Sequence, residues 1–295
     1  MAEAACRRLA RWALGMGLAL LGGSALAWSV QDDTGRRLEL AQSPQRIVSV
    51  LPALTEMVCQ LGRCERLVGV DRYANWPERV RSLPRVGGGM DPQIEAIAAL
   101  RPDLVLMAPS ARGAERLRGL GLPVLELEPK THADVERIQA TLGQVLQADA
   151  PRAWQDITAQ LEAAARALPP AARGWRVYFE VNDGPYAASE SSFIGQTLAV
   201  LGLANVVPGS LGPFPRLNPE RVVRADPDLL LLADAAADPP ARRPGWSGLK
   251  AVREGRVCSF TPEEADILVR PGPRMGEAAR LMVRCVARHV PGGRP

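Results

Sequence analysis

Histidine is almost missing from this chain. Of 295 residues only His132 and His289 are histidine, one near a helix start and one near the C-terminus. Neither offers an obvious general base, and two scattered imidazoles do not furnish the several ligands that a bare zinc or manganese site needs. No G-x-S-x-G elbow, H-E-x-x-H helix or Walker loop occurs, so the common hydrolase, metalloprotease and nucleotide-binding signatures are absent. No C-x₂-C pair exists, which argues against a four-cysteine zinc site. No Lys/Arg block is interleaved with aromatic residues, which argues against nucleic acid as a partner. The apolar run from Trp12 to Leu21 has ten residues, about half of the ~20 that span a bilayer as a helix. These absences predict a protein that is not an enzyme, with no catalytic residue, no protein-held metal and no cofactor.

At 47% hydrophobic and 23% charged residues, the chain has the composition of a globular protein with one large or two medium cores. Its start reads as a signal peptide over residues 1–27: Arg7, Arg8 and Arg11 precede the apolar run, and Ala25-Leu26-Ala27 fits a small-x-small cleavage site. Removing that leader takes away three arginines and one glutamate, which brings the formal net charge from +4 to +2. The mature chain is nearly balanced, so the basic pI carries no message about nucleic acid. Cys6 leaves with the leader, and Cys59, Cys64, Cys258 and Cys285 remain. An even number in an oxidising compartment permits two disulfides in three connectivities. Cys59 with Cys64 is the preferred pair, because Gly62 should end the helix of Thr55 to Leu61 and let the chain fold back. That leaves Cys258 with Cys285.

Two segments share one plan. Glu95-Ala-Ile-Ala-Ala-Leu-Arg-Pro102-Asp103-Leu-Val-Leu-Met parallels Glu220-Arg-Val-Val-Arg-Ala-Asp-Pro227-Asp228-Leu-Leu-Leu-Leu. In each, a glutamate opens a short helix, six residues pass, and a Pro-Asp turn feeds an apolar run that does not alternate. Such a run suits a strand covered on both faces, as in a parallel sheet. Between the segments, Pro151 to Leu168 reads as one amphipathic helix with apolar residues at Trp154, Ile157, Leu161, Ala164 and Leu168. Asp149 is placed to cap it, and Pro169-Pro170 stops it. The predicted fold is therefore α/β, two lobes each with a mostly parallel sheet flanked by helices, joined by one long rigid helix. The boundaries are 28–130 for the N-terminal lobe, 131–170 for the connecting helices and 171–295 for the C-terminal lobe.

In open parallel sheets ligands bind outside the carboxyl ends of the strands. That rule selects the loop of Asp71 to Pro77 after the strand Leu67 to Val70, the turn before Tyr186 and the loop holding Phe214. The mature chain has only twelve aromatic residues, and Tyr73, Trp76, Tyr186, Phe193 and Phe214 fall in loops or helix starts of this kind. Two lobes with aromatic rims would sandwich a large flat or apolar ligand; a ring such as Phe193 also suits simple capping of a core. Asp266 and Arg270, in a passage from Asp266 to Arg274 expected to be irregular, are candidates for reading polar groups on the ligand. Arg216 and Arg274 are lesser candidates. Glu95 and Glu220 suit the first turn of a helix through its dipole, and their recurrence suggests two negative knobs that dock on a partner's arginines.

Over nearly all of residues 45–289 the chain resembles the periplasmic binding proteins of ABC importers for cobalamin, haem and ferric siderophores. The resemblance is carried by Arg46-Ile-Val-Ser-Val-Leu-Pro-Ala-Leu-Thr-Glu56, by Leu67-Val-Gly-Val-Asp71 with Trp76-Pro77, and by the two Glu-x₆-Pro-Asp segments. It implies that Glu95 and Glu220 dock on arginine pockets of an ABC permease dimer with its ATPase subunits, and that the cargo is a small-molecule metal chelate. It is greatest toward the cobalamin-binding branch: Trp76 and Phe214 stand where that branch has ring contacts with the corrin, and Asp266 and Arg270 match its acid and arginine. A tryptophan of that branch before the first Glu helix is missing here, its place taken by Gly87-Gly88-Gly89. The implied function is capture of a corrinoid between the lobes by an exported, monomeric periplasmic protein that does not insert in the membrane. A haem or ferric siderophore is the alternative cargo, with Tyr73 or Tyr186 as iron ligand. An enzyme or interaction module built on this fold is the alternative from another class.

Overall fold

In the computed structural model, residues 28–182, 184–233 and 239–290 are described. The expected leader, residues 1–27, lies outside them, as does part of the Pro-rich stretch 234–244. The described chain opens with an antiparallel hairpin, β1 (Trp28–Gln31) and β2 (Arg37–Leu40). Its turn is held by the Asp32 carboxylate, which accepts the backbone N–H groups of Thr34 and Arg36, with Gly35 in the left-handed region.

The first sheet is wholly parallel. It contains β3 (Ile47–Ser49), β4 (Leu67–Val70), β5 (Leu104–Met107) and β6 (Val124–Glu126) in the order β4-β3-β5-β6. Between these strands run α1 (Pro52–Gln60), α2 (Ile94–Ala99) and α3 (Ala114–Gly119). Both faces of β5 are covered, as the unbroken Leu-Val-Leu-Met run requires. Next come α4 (His132–Leu146), opened by a Thr131–Asp134 capping box, and the connecting helix α5 (Ala150–Ala167).

The second sheet repeats the first. Its strands are β7 (Arg176–Asn182), β8 (Tyr186–Ala187), β9 (Ala204–Asn205), β10 (Leu229–Leu232) and β11 (Val257–Ser259), with β11-β10-β7-β8 in order and β9 also on β7. Only β8 is antiparallel. Around it lie α6 (Phe193–Leu201), α7 (Pro219–Ala225) and α8 (Lys250–Arg253), followed by α9 (Pro262–Val269) and α10 (Met275–His289). The fold is thus two α/β lobes. The passage from Asp266 to Arg274, expected to be irregular, begins inside α9: Thr261, Pro262 and Glu264 form a capping box with proline in the first turn, and Pro271 ends the helix.

The two repeated segments are built alike. Asp103 accepts the backbone N–H of Arg46 at 2.8 Å, at the entry to β3, and Asp228 accepts that of Arg176 at 2.9 Å, at the start of β7. Two residues earlier, Arg101 and Asp226 both take positive φ, at 47° and 40°. The carbonyls they expose are met by the side chains of Arg46 and Arg176. Each Pro-Asp turn is therefore a clamp that ends a helix, starts one strand and fixes its register against the strand beside it.

In α5 the buried stripe is Ala150, Ala153, Ile157, Leu161 and Ala164; Trp154 lies beside it, half-buried. The last helix, α10, runs along α5 so closely that any side chain at Gly276 would strike Gln160. At ~1.5 Å per residue, α5 spans about 27 Å. Cys59 is bonded to Cys64 across the end of α1, where Gly62 takes φ +70°, and Cys258 on β11 is bonded to Cys285 on α10.

Candidate ligand site at the junction of the lobes

The loop that leaves β4 carries the first two aromatic candidates. Asp71 starts it, with its N–H on Ser49 and its carboxylate accepting the Tyr73 N–H at 2.6 Å. Burial pushes the Asp71 carboxyl above the usual range, against the pull of the Tyr73 N–H and of Arg270, Arg72 and Arg85. The turn leaves Tyr73 64% exposed and Trp76 37% exposed, two of the few large apolar side chains facing outward. Both rings lie in the loop at the carboxyl end of a parallel strand, the position at which open sheets bind ligands.

That loop is tied to the far end of the chain. Arg270, at the end of α9, donates from Nη1 to Asn75 at 2.7 Å and to Glu56 at 3.2 Å, and from Nη2 to the Tyr73 carbonyl at 2.9 Å. Its Nη2 also pairs with Asp266 at 2.7 Å, and the Asn75 amide donates to Asp266 at 2.6 Å. Arg274 grips both oxygens of Glu56, at 2.9 and 2.6 Å, and lays its guanidinium 5.1 Å from the centre of the Trp76 ring. Four of the candidate residues, Tyr73, Trp76, Asp266 and Arg270, are thereby brought together. Arg270 spends its donors on the protein itself.

Tyr186 and Phe214 form a second group on the C-terminal lobe. Tyr186 is 42% exposed on β8 and bridges to Arg216. Phe214 is half-buried and tilts against Phe193, ring centres 6.0 Å apart, while Phe193 itself is buried in the core. A second joint between the halves lies at the start of α4. Lys130 accepts the Phe193 N–H, Gln196 accepts the His132 N–H, and the His132 Nε2 meets the Phe193 carbonyl and the Thr197 hydroxyl. Burial lowers the His132 pKa, only partly offset by the Phe193 carbonyl.

Glu95 and Glu220 both stand exposed in the first turn of their helices, α2 and α7. Glu95 pairs with Arg116 at 2.5 Å, an exposed contact worth little in water. The sequence reading missed Glu56 and Asn75 as parts of the junction. Glu56 sits at the end of the Arg46–Glu56 motif, and a glutamate inside an otherwise buried helix was the available signal.

Two parallel-sheet lobes on a helical connector, with aromatic loops at the carboxyl ends of the strands, define a two-lobed binding protein. The chain belongs to the periplasmic binding protein family, whose model matches residues 47–264. A vitamin B12-binding protein of Pectobacterium atrosepticum is 28% identical over 80% of this chain and 86% of its own length. An ABC transporter substrate-binding lipoprotein of Bacillus subtilis, YvrC, is 25% identical over 88% of this chain and 85% of its own. Among solved structures, the periplasmic haem-binding protein BhuT with two haems bound superposes with a TM-score of 0.72 and 27% identity, covering 84% of this chain and 99% of that one. Membership makes the chain a non-catalytic, substrate-binding component of ABC transport, working with a permease, its ATPase and a small-molecule cargo. Among the described residues, no helix is long and apolar enough to cross a membrane.

Proposed function

We propose that this protein captures a corrinoid between its lobes in the periplasm and delivers it to an ABC importer. The observation that carries the reading is the neutral junction beneath the aromatic loop. Arg270 and Arg274 are already matched by Glu56 and Asp266, so no unpaired cation of theirs awaits an anionic ligand. A corrin edge, rich in neutral amides, asks for none; a haem asks for partners to its propionates. In this reading Tyr73, Trp76, Tyr186 and Phe214 supply ring faces, the partly exposed Asp266 supplies a polar rim, and Arg270 holds that rim and the aromatic loop in place. Residues 28–130 and 171–295 serve as the lobes and 131–170 as their connection. The leader directs export and is removed by cleavage after Ala27. Haem is the second reading, favoured by the exposed phenols of Tyr73 and Tyr186 as iron ligands.

The test is calorimetric titration of the chain from Trp28 onward with cyanocobalamin, cobinamide, haemin and a panel of ferric siderophores. Submicromolar binding of the corrinoids alone supports the proposal; tight haemin or siderophore binding without corrinoid binding moves the cargo to iron uptake. Docking through Glu95 and Glu220 is tested separately by reversing both charges. Uptake should stop with ligand affinity intact, and lost affinity would instead assign the two glutamates to the pocket or the fold.

A further inference from the structure

Glu56 is the most deeply buried acid at the junction, 1% exposed, so it does not itself face the cleft. A carboxylate is costly to bury, and replacing buried ion pairs with apolar groups is often neutral or stabilising. Stability alone therefore does not account for it. What it does have is geometry: two oxygens that accept three bonds, from two arginines that each reach on to the aromatic loop. Through Arg270 it is one bond from the Tyr73 carbonyl and the Asn75 amide. Through Arg274 it stands behind the Trp76 ring.

Both arginines come from more than 200 positions away in the chain, from the segment joining α9 to α10, whose Gly272 rests against Met57 and Ala53 of α1. Among the described residues Arg274 has Glu56 as its acidic partner, whereas Arg270 has Asp266 as well. Removing the Glu56 charge would therefore release Arg274 first and Trp76 with it. The loop would then have to be ordered at the moment of binding, an expense that preorganisation avoids.

We infer that Glu56 is a positioning residue for ligand capture, acting through Arg270 and Arg274 to hold the Tyr73–Trp76 loop in its binding shape. The inference rests on reading that loop as ligand surface. Its test uses the mature chain labelled with 5-fluorotryptophan, which gives one fluorine resonance each for Trp28, Trp76, Trp154, Trp175 and Trp246; Trp76→Phe identifies the second. In Glu56→Gln the Trp76 resonance should shift or broaden while the other four stay, and the Kd for whichever chelate the wild type binds should rise on the order of tenfold. Trp76→Phe should also weaken binding less in the Glu56→Gln background than alone, because the two act as one unit. Arg274→Met, which keeps Glu56 paired with Arg270, gives the same readings if Glu56→Gln does not fold. An unmoved Trp76 resonance with unchanged Kd overturns the inference, as does an equal disturbance of all five resonances, which would mark a general structural role. If the wild type binds no chelate, the cargo reading fails while the resonance still decides whether Glu56 holds the loop.

Discussion

The paired Pro-Asp clamps allow a sharp comparison, because the same substitution should cost different amounts in the two lobes. Asp103 uses both oxygens on backbone donors, the Gln45 N–H at 2.7 Å and the Arg46 N–H at 2.8 Å. Asparagine offers one acceptor, so Asp103→Asn turns an NH₂ toward a backbone N–H and loses a charge-assisted bond, about 1.5–2 kcal/mol at a half-buried site. Asp228 uses one oxygen on the Arg176 N–H and the other on the Lys250 ammonium, whose side chain is 40% exposed. Asp228→Asn keeps the first bond and gives up a surface ion pair worth about 0.5 kcal/mol. Equilibrium urea unfolding at pH 7 should separate the two variants by about 1 kcal/mol, or roughly 0.4 M in midpoint at a slope of 2–3 kcal/mol/M. Burial raises the Asp228 carboxyl, but Lys250, the Arg176 N–H and Arg256 outweigh it and hold its pKa below 3.8. Its contribution is thus present above pH ~3.8 and fades as pH falls through the lowered folded value, so the Asp228→Asn difference should shrink in acid. Equal costs for the two variants, or a larger cost for Asp228→Asn, would refute the assignment of bonds on which the clamp argument rests.

Gly195 in α6 leaves no room for a β-carbon, which would strike the Ser189 carbonyl. Gly195→Ala should cost about 2–3 kcal/mol, seen as a drop in Tm of several degrees. The two disulfides close loops of different length, with separations of 5 and 27 residues. In the loop-entropy account, removing Cys59–Cys64 by paired serines should cost about 2 kcal/mol and removing Cys258–Cys285 about 3.5 kcal/mol, a ranking that denaturant midpoints check. His132, its pKa lowered chiefly by burial, binds a proton more readily unfolded. Its share of stability is complete above pH ~6.5 and declines as pH falls from there toward the folded value. His132→Gln should flatten the acid limb of a stability–pH profile, leaving the part due to His289, also lowered by burial.

Much of the fold was legible because its signals are local. An apolar run without alternation admits a strand buried on both faces, and Leu104–Met107 and Leu229–Leu232 are two such strands. The repeat of Glu-x₆-Pro-Asp marked the two halves, and Asp149 with Pro151 marked the start of the connector. What escaped was either short or distant. The β1–β2 hairpin has four-residue strands, and its Asp-Thr-Gly turn is a weak cue beside a leader. The α9 helix was hidden by Pro271 and Pro273, although Thr-Pro-Glu-Glu was a readable cap. At the candidate site the exposed rings followed from position after a strand. Their fastening did not, since nothing in the spacing of Glu56, Arg270 and Arg274 announces that more than 200 residues of chain bring them into contact.

The laying of α10 along α5 has a kinetic consequence. To open or shut the lobes widely, the chain would have to bend α5 and break its backbone bonds, or slide two helices packed closely enough that Gly276 has no spare room. If cargo is captured between the lobes as proposed, the space that receives it would therefore be a standing property of the unloaded molecule. Arrival of that cargo would then depend on collision and orientation rather than on waiting for a gate, and its dwell time on the surface it covers rather than on a lid.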